Sequence, residues 1–124
     1  MSEPLRGVVV CHGKLAGALV EAAEQISGVK GALVAVSNSG CDRATLGDRV
    51  SEAVGAGSAV VFVDLASGSC WFAALNLLRQ ADGVKVVTGV NLAMLVDFVF
   101  HRSLTAAAAA ERAATAGGKA IRIS

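Results

Sequence analysis

The first group in this chain able to do chemistry is a histidine set between β-branched residues and a glycine. Val8, Val9 and Val10 lead into Cys11-His12-Gly13, and the residue spacing then changes. A short β-branched run suits a buried strand. From Leu15 onward, apolar residues (Leu15, Leu19, Val20, Ala22, Ala23, Ile26) recur at helical intervals opposite Lys14, Glu21, Glu24 and Gln25. His12 is therefore expected where a strand hands over to a helix, the place where open α/β sheets hold ligands. An imidazole has an unperturbed pKa of about 6.5, so it is available as a neutral nucleophile near pH 7. That use requires one ring nitrogen to be held as N–H, so that the other presents its lone pair.

Two other stretches supply what such a histidine needs. Asp64 stands directly after the apolar run 58–63. A carboxylate there can hold the ring N–H and stabilise the imidazolium formed on reaction. Ser67-Gly68-Ser69 is a turn of small residues that leads into a helix carrying Phe72, Ala73, Leu75, Leu77 and Leu78. Such a turn leaves backbone N–H groups free to meet an anion. It is not a P-loop, because no Gly-Lys-Ser/Thr follows. An anion at such a turn is stabilised by donors aimed at its oxygens. The Ser69 hydroxyl, the amides of Ser67, Gly68 and Cys70, and the helix N-terminus are the candidate donors. Neither a metal ion nor an organic cofactor is required by this chemistry.

The elements that must position these groups follow from periodicity. Strands are expected over 8–10, 31–36, 58–63 and 84–88, each followed by a helix. Gly28 is a C-cap candidate, and Asp42 and Asn91 are N-cap candidates. The second helix turns Leu46, Val50, Ala53 and Val54 inward. A fourth helix is expected over 92–101 with Leu92, Leu95, Val96, Val99 and Phe100 buried. His101 is expected to meet its C-terminus, and Trp71 to be a rim or partner contact. Ser103 or Thr105 is expected to cap an Ala-rich helix over 106–116, which Gly117-Gly118 stops. Residues 119–123 alternate as a half-buried edge strand would. The class is α/β, a mainly parallel open sheet with helices on both faces. With right-handed crossovers, the strand order 2-1-3-4 puts the switch point between the first and third strands, just before His12 and Asp64.

Composition bounds the rest. With 124 residues, 54% of them hydrophobic, one domain over 1–124 with a real core is expected. The formal charge is +1, and there is no basic stripe with interleaved aromatics, so nucleic acid is not an expected partner. The apolar runs fall short of the roughly 18–20 residues that span a bilayer. The opening MSEPLRG has no signal-peptide apolar region. A cytoplasmic protein is expected. Cys11, Cys41 and Cys70 are odd in number and lack a CxxC spacing, so no disulfide framework or zinc knuckle is indicated. All three fall near strand-to-helix turns.

With these residues in view, nearly the whole chain resembles the mannose-family IIA domain of the bacterial phosphoenolpyruvate-dependent sugar phosphotransferase system. The strand ending in His12-Gly13 with Leu15-Ala16, the run Val61-Phe62-Val63-Asp64 into Ser67-Gly68-Ser69, and the segment from Val86 through Gly89-Val90-Asn91 to Val96 carry the resemblance. It implies that His12 accepts a phosphoryl group from the phosphocarrier protein HPr and hands it to a histidine of a IIB domain. It implies that Asp64 orients the ring and that Ser69 holds the phosphoryl group. It also implies a homodimer in which the strand 120–123 crosses to the partner, and a membrane linked only indirectly, through IIC and IID components. Cys70 and Ala93 stand where relatives commonly have proline. Two other readings are a stand-alone regulatory IIA protein that acts through phosphorylation-dependent partner binding, and the phosphoryl donor of dihydroxyacetone kinase. A generic flavodoxin-like binder is disfavoured by the lack of a Ser/Thr-rich first loop.

Overall fold

The computed structural model describes residues 4–124. Strands β1 (Arg6–Cys11), β2 (Leu33–Ser37), β3 (Ala59–Val63) and β4 (Val84–Thr88) alternate with helices α1 (Leu15–Ser27), α2 (Arg43–Val54) and α3 (Gly68–Leu78). Helices α4 (Leu92–Val99) and α5 (Ala106–Lys119) follow. All strand pairs are parallel, in the order β2-β1-β3-β4. This is the expected topology, so the chain leaves the sheet in opposite directions after β1 and after β3.

Alternation along the central strands builds two cores. Val9 and Cys11 of β1, with Val60 and Phe62 of β3, face α1, α4 and α5. Val8, Val10, Val61 and Val63 face α2 and α3. Both central strands are covered on both sides, which is why they read as unbroken apolar runs. Phe62 meets Phe98 edge to face at 5.3 Å between ring centroids, a geometry that adds roughly 0.5–1.5 kcal/mol beyond burial.

The capping residues act as expected in three helices. Asp42, Asn91 and Thr105 each accept a hydrogen bond from the backbone N–H three residues on. Gly28 closes α1 in the left-handed conformation, φ 73°.

Three expectations need correction. First, the buried stripe of α1 is Ala16 and Ala23, flanked by the partly buried Leu19 and Val20, whereas Leu15 and Ile26 are exposed. At about 100° per residue Leu15 stands roughly a quarter turn from Ala16, at the edge of the stripe. Second, α4 ends at Val99, and its buried face is Met94, Leu95, Phe98 and Val99, with Phe100 outside. The stripe is rotated because α4 packs on α5 as well as on the sheet.

Third, Gly117 and Gly118 do not stop α5, which runs on to Lys119. A Cβ on Gly117 would come within 2.5 Å of the Met94 side chain, and the Asn91 amide donates to the Gly117 carbonyl at 3.0 Å. The glycine is there for close helix approach, and its backbone stays helical. Residues 120–124 form no strand within the single chain, and Ile121 and Ile123 are exposed. Among the described residues no strand pairs with this segment, so its apolar alternation has no partner within the chain.

Candidate functional site

The site lies at the C-terminal edge of the two central strands, where topology opens a crevice. His12 follows β1 and Asp64 follows β3. Asp64 Oδ2 accepts from the His12 backbone N–H at 2.9 Å and lies 2.8 Å from its ring Nδ1. Asp64 Oδ1 accepts from the Leu65 N–H at 3.0 Å. Burial pushes this carboxyl up, but the hydrogen bonds from the His12 N–H and ring, with that from Leu65, outweigh it and hold the group below the usual carboxylate range. It is therefore ionised near neutral pH, so the nitrogen facing it carries the ring proton. Nε2 then presents a lone pair on a side chain 42% exposed.

The turn that carries His12 is pinned from its neighbour strand. Ser37 Oγ donates to the Gly13 carbonyl at 2.6 Å, and Asn38 Oδ1 accepts from the Gly13 N–H at 3.1 Å. Sequence reasoning saw only a polar turn over 37–42. The signal available was that the second strand neighbours the first, so its C-terminal polar residues must reach the histidine's loop. Gly13 itself has φ 60°, which a β-carbon disfavours.

Across the crevice, Ser67 precedes α3 in an extended conformation and its side chain makes no cap hydrogen bond. The first-turn N–H groups of α3 are thus left without a side-chain acceptor. Gly68, with φ 86°, brings its backbone beside the ring: a Cβ there would lie 3.7 Å from His12 Nε2. Ser69 is half-buried in the same turn. The structure thus brings His12, Asp64, Gly68 and Cys70 into one cluster, with Ser67 and Ser69 in the same turn. Cys70 is buried, with Sγ 3.9 Å from His12 Nδ1. Burial and the Asp64 charge push its thiol up.

The other residues singled out lie away from the crevice. Cys11 turns to the opposite core, and burial, with the charges of Asp64 and Cys70, pushes its thiol up to about 12. Asn91 caps α4 and reaches α5. His101 Nδ1 donates to the Asp97 carbonyl at 2.7 Å, in the last turn of α4. Trp71 is half-buried and packs against the α2–α3 core.

Comparisons with known proteins agree with this architecture. Residues 7–115 match the EIIA-man family, the fructose IIA component of the phosphotransferase system (PTS). The fold is shared with phosphotransferase system component EIIA from Streptococcus agalactiae, at 20% identity and TM-score 0.88 over 96% of each chain. It is also shared with the mannose/sorbose-specific IIA subunit from Enterococcus faecalis, at 18% identity and TM-score 0.85 over 98% of this chain and 95% of that one. A third is the PTS IIA protein associated with the fucose utilization operon of Streptococcus pneumoniae, at 19% identity and TM-score 0.77 over 98% of this chain and 96% of that one. No curated protein matches by sequence.

A parallel sheet in this order, with a histidine and an aspartate at its switch point, is an open α/β domain with its candidate site where such sheets hold ligands. The chain belongs to the EIIA-man family of the phosphotransferase system. That membership carries a phosphotransferase role in a sugar phosphotransferase system. Among the described residues, no helix is long and apolar enough to cross a membrane.

Proposed function

We propose that His12 Nε2 accepts a phosphoryl group from phospho-HPr and passes it to a histidine of a IIB component. The observation that carries this reading is the double hold of Asp64 Oδ2 on the backbone N–H and ring Nδ1 of His12. This hold supports the reading: it favours the Nδ1–H tautomer, leaves the Nε2 lone pair free, and supplies a negative charge to stabilise the ring once Nε2 is phosphorylated. The N–P bond forms as the donor's N–P bond breaks, so the energy of the phosphoramidate link is retained and transfer runs in either direction. The first-turn amides of α3 and the Ser69 hydroxyl are the donors proposed for the equatorial oxygens, and the helix N-terminus favours their charge. Leu15, Leu65 and Phe72 are exposed apolar side chains in the segments next to the crevice. They suit a surface against which two carrier proteins dock in turn.

The test is phosphorylation by phosphoenolpyruvate, enzyme I and HPr, read by intact mass and acid lability. One acid-labile, base-stable phosphate is expected on the wild type and none on His12→Ala, with the fold of the variant unchanged by circular dichroism. Incorporation that persists in His12→Ala would falsify the assignment.

A further inference from the structure

The relay uses His12 Nε2, the Asp64 carboxylate and the amides of the α3 turn. It has no use for the Cys70 thiol, yet the structure sets that sulfur against the ring. His12 Nδ1 lies 2.8 Å from Asp64 Oδ2 and 3.9 Å from Cys70 Sγ. One ligand atom from each of the three residues falls within 4.8 Å of the others, which no other group of three His, Cys, Asp or Glu residues does among those described. An imidazole, a carboxylate and a thiol are the donor set of a zinc-class ion, whereas magnesium and calcium take oxygen alone. With bonds of about 2.0–2.3 Å, tetrahedral ligand atoms sit roughly 3.3–3.6 Å apart. The sulfur must close on Nδ1 by a few tenths of an ångström, the carboxylate must open from it by about half an ångström, and Asp64 Oδ2 and Cys70 Sγ, which lie within 4.8 Å, must come to the same spacing. Three protein ligands leave a fourth position for a water, as in sites that keep one.

We propose that His12 Nδ1, Asp64 Oδ2 and Cys70 Sγ form a binding site for a zinc-class divalent cation, and that its occupancy excludes phosphorylation of His12. The proton balance gives the reason. Three lone pairs form bonds to the cation, and nothing is oxidised. The thiol proton leaves to solvent, and the ring proton moves through solvent from Nδ1 to Nε2. With Nε2 protonated, no lone pair remains to attack phosphorus. Exclusion is reciprocal, so phosphorylation weakens cation binding by the same factor. The exclusion rests on the relay reading, whereas the site itself does not.

The test uses the full chain, reduced and stripped with a chelator, and cobalt(II) as the spectroscopic stand-in for zinc. A thiolate-to-cobalt charge-transfer band in the near ultraviolet is expected, displaced by zinc, retained in Cys41→Ser and lost in Cys70→Ser. Because Cys70 is buried, X-ray absorption at the zinc edge of the wild type supplies a second readout without substitution. One sulfur at about 2.3 Å and nitrogen or oxygen neighbours at about 2.0 Å are expected. No band in the wild type, a band that survives Cys70→Ser, or a zinc shell without sulfur overturns the site.

Zinc at about ten times its Kd should then lower phosphoryl incorporation from preformed phospho-HPr roughly tenfold, and a chelator should restore it. The control is a second IIA protein at the same zinc level. Undiminished incorporation on the zinc-loaded chain overturns the exclusion. A chain that takes no phosphate in the absence of zinc overturns the relay, and the cobalt spectra then judge the site alone.

Discussion

The five helices among the described residues begin in two different ways. α2, α4 and α5 start on Asp42, Asn91 and Thr105, whose side chains each take up a first-turn N–H. α1 and α3 start on Lys14 and Ser67, and neither side chain makes a cap hydrogen bond. The two uncapped helices are the ones that open beside His12. Each omitted cap forgoes about 1 kcal/mol of stability. In exchange, first-turn N–H groups of α3 and the positive end of its dipole are left for the crevice, whereas the first N–H of α1 is taken by the His12 carbonyl at 3.3 Å. Helices that only hold the fold together are closed by their own residues, whereas those at the site have no side-chain cap.

Substitutions on the two sides of this contrast should part company. The largest effect expected after loss of His12 itself is at Asp64. Asp64→Asn keeps a similar shape but offers no charge to hold the ring proton on Nδ1, so transfer should slow by roughly 10²–10⁴-fold. Rapid-quench kinetics would read this. The same variant should flatten stability in acid. The folded-state pKa of Asp64 lies below its unfolded value of about 3.9, so its contribution is present above that pH and is lost as pH falls through the folded value. An unaltered acid-unfolding profile in Asp64→Asn would contradict the assigned hydrogen bonds.

Ser69→Ala removes one side-chain donor from the α3 turn and should cost about 10–10³-fold in rate with little change in melting temperature. A smaller but more discriminating test is Ser67→Asp. It gives α3 the acidic cap that α2 already has, which should raise stability by roughly 0.3–1 kcal/mol in denaturant titrations. The new carboxylate would also repel an incoming phosphoryl group, and transfer should fall. A stabilised variant with undiminished transfer would remove the reason for an open helix end.

The smallest effect on chemistry is expected at Thr105→Ala, on the closed side. Loss of that cap should cost about 1 kcal/mol and leave the transfer rate at the wild-type value. A rate loss there would erase the distinction between the two sets of helices.

Much of this was legible in one dimension. Alternating apolar runs and helical stripes gave the order of elements, and the connection rules gave the sheet order, because a parallel sheet with right-handed crossovers has few solutions. His12 and Asp64 could be paired because each directly follows a central strand. Helix ends were readable wherever a side chain caps its own backbone, a contact only three residues long. Two of the misread features are long-range. Gly117 looked like a stop, but its role is set by Met94 on another helix, and Phe100 lost its expected core place to Phe98, which meets Phe62 of β3.

The sequence by itself determined the topology, the histidine–aspartate pair and the caps, since local periodicity and chain connectivity specify each of them. Only the tertiary structure decided that Ser37 and Asn38 pin the histidine's turn and that the Cys70 sulfur faces His12 Nδ1. Those contacts join residues 24 to 58 positions apart. Their geometry depends on strand register and on the rotation of α3 over the sheet, and no spacing along the chain encodes either one.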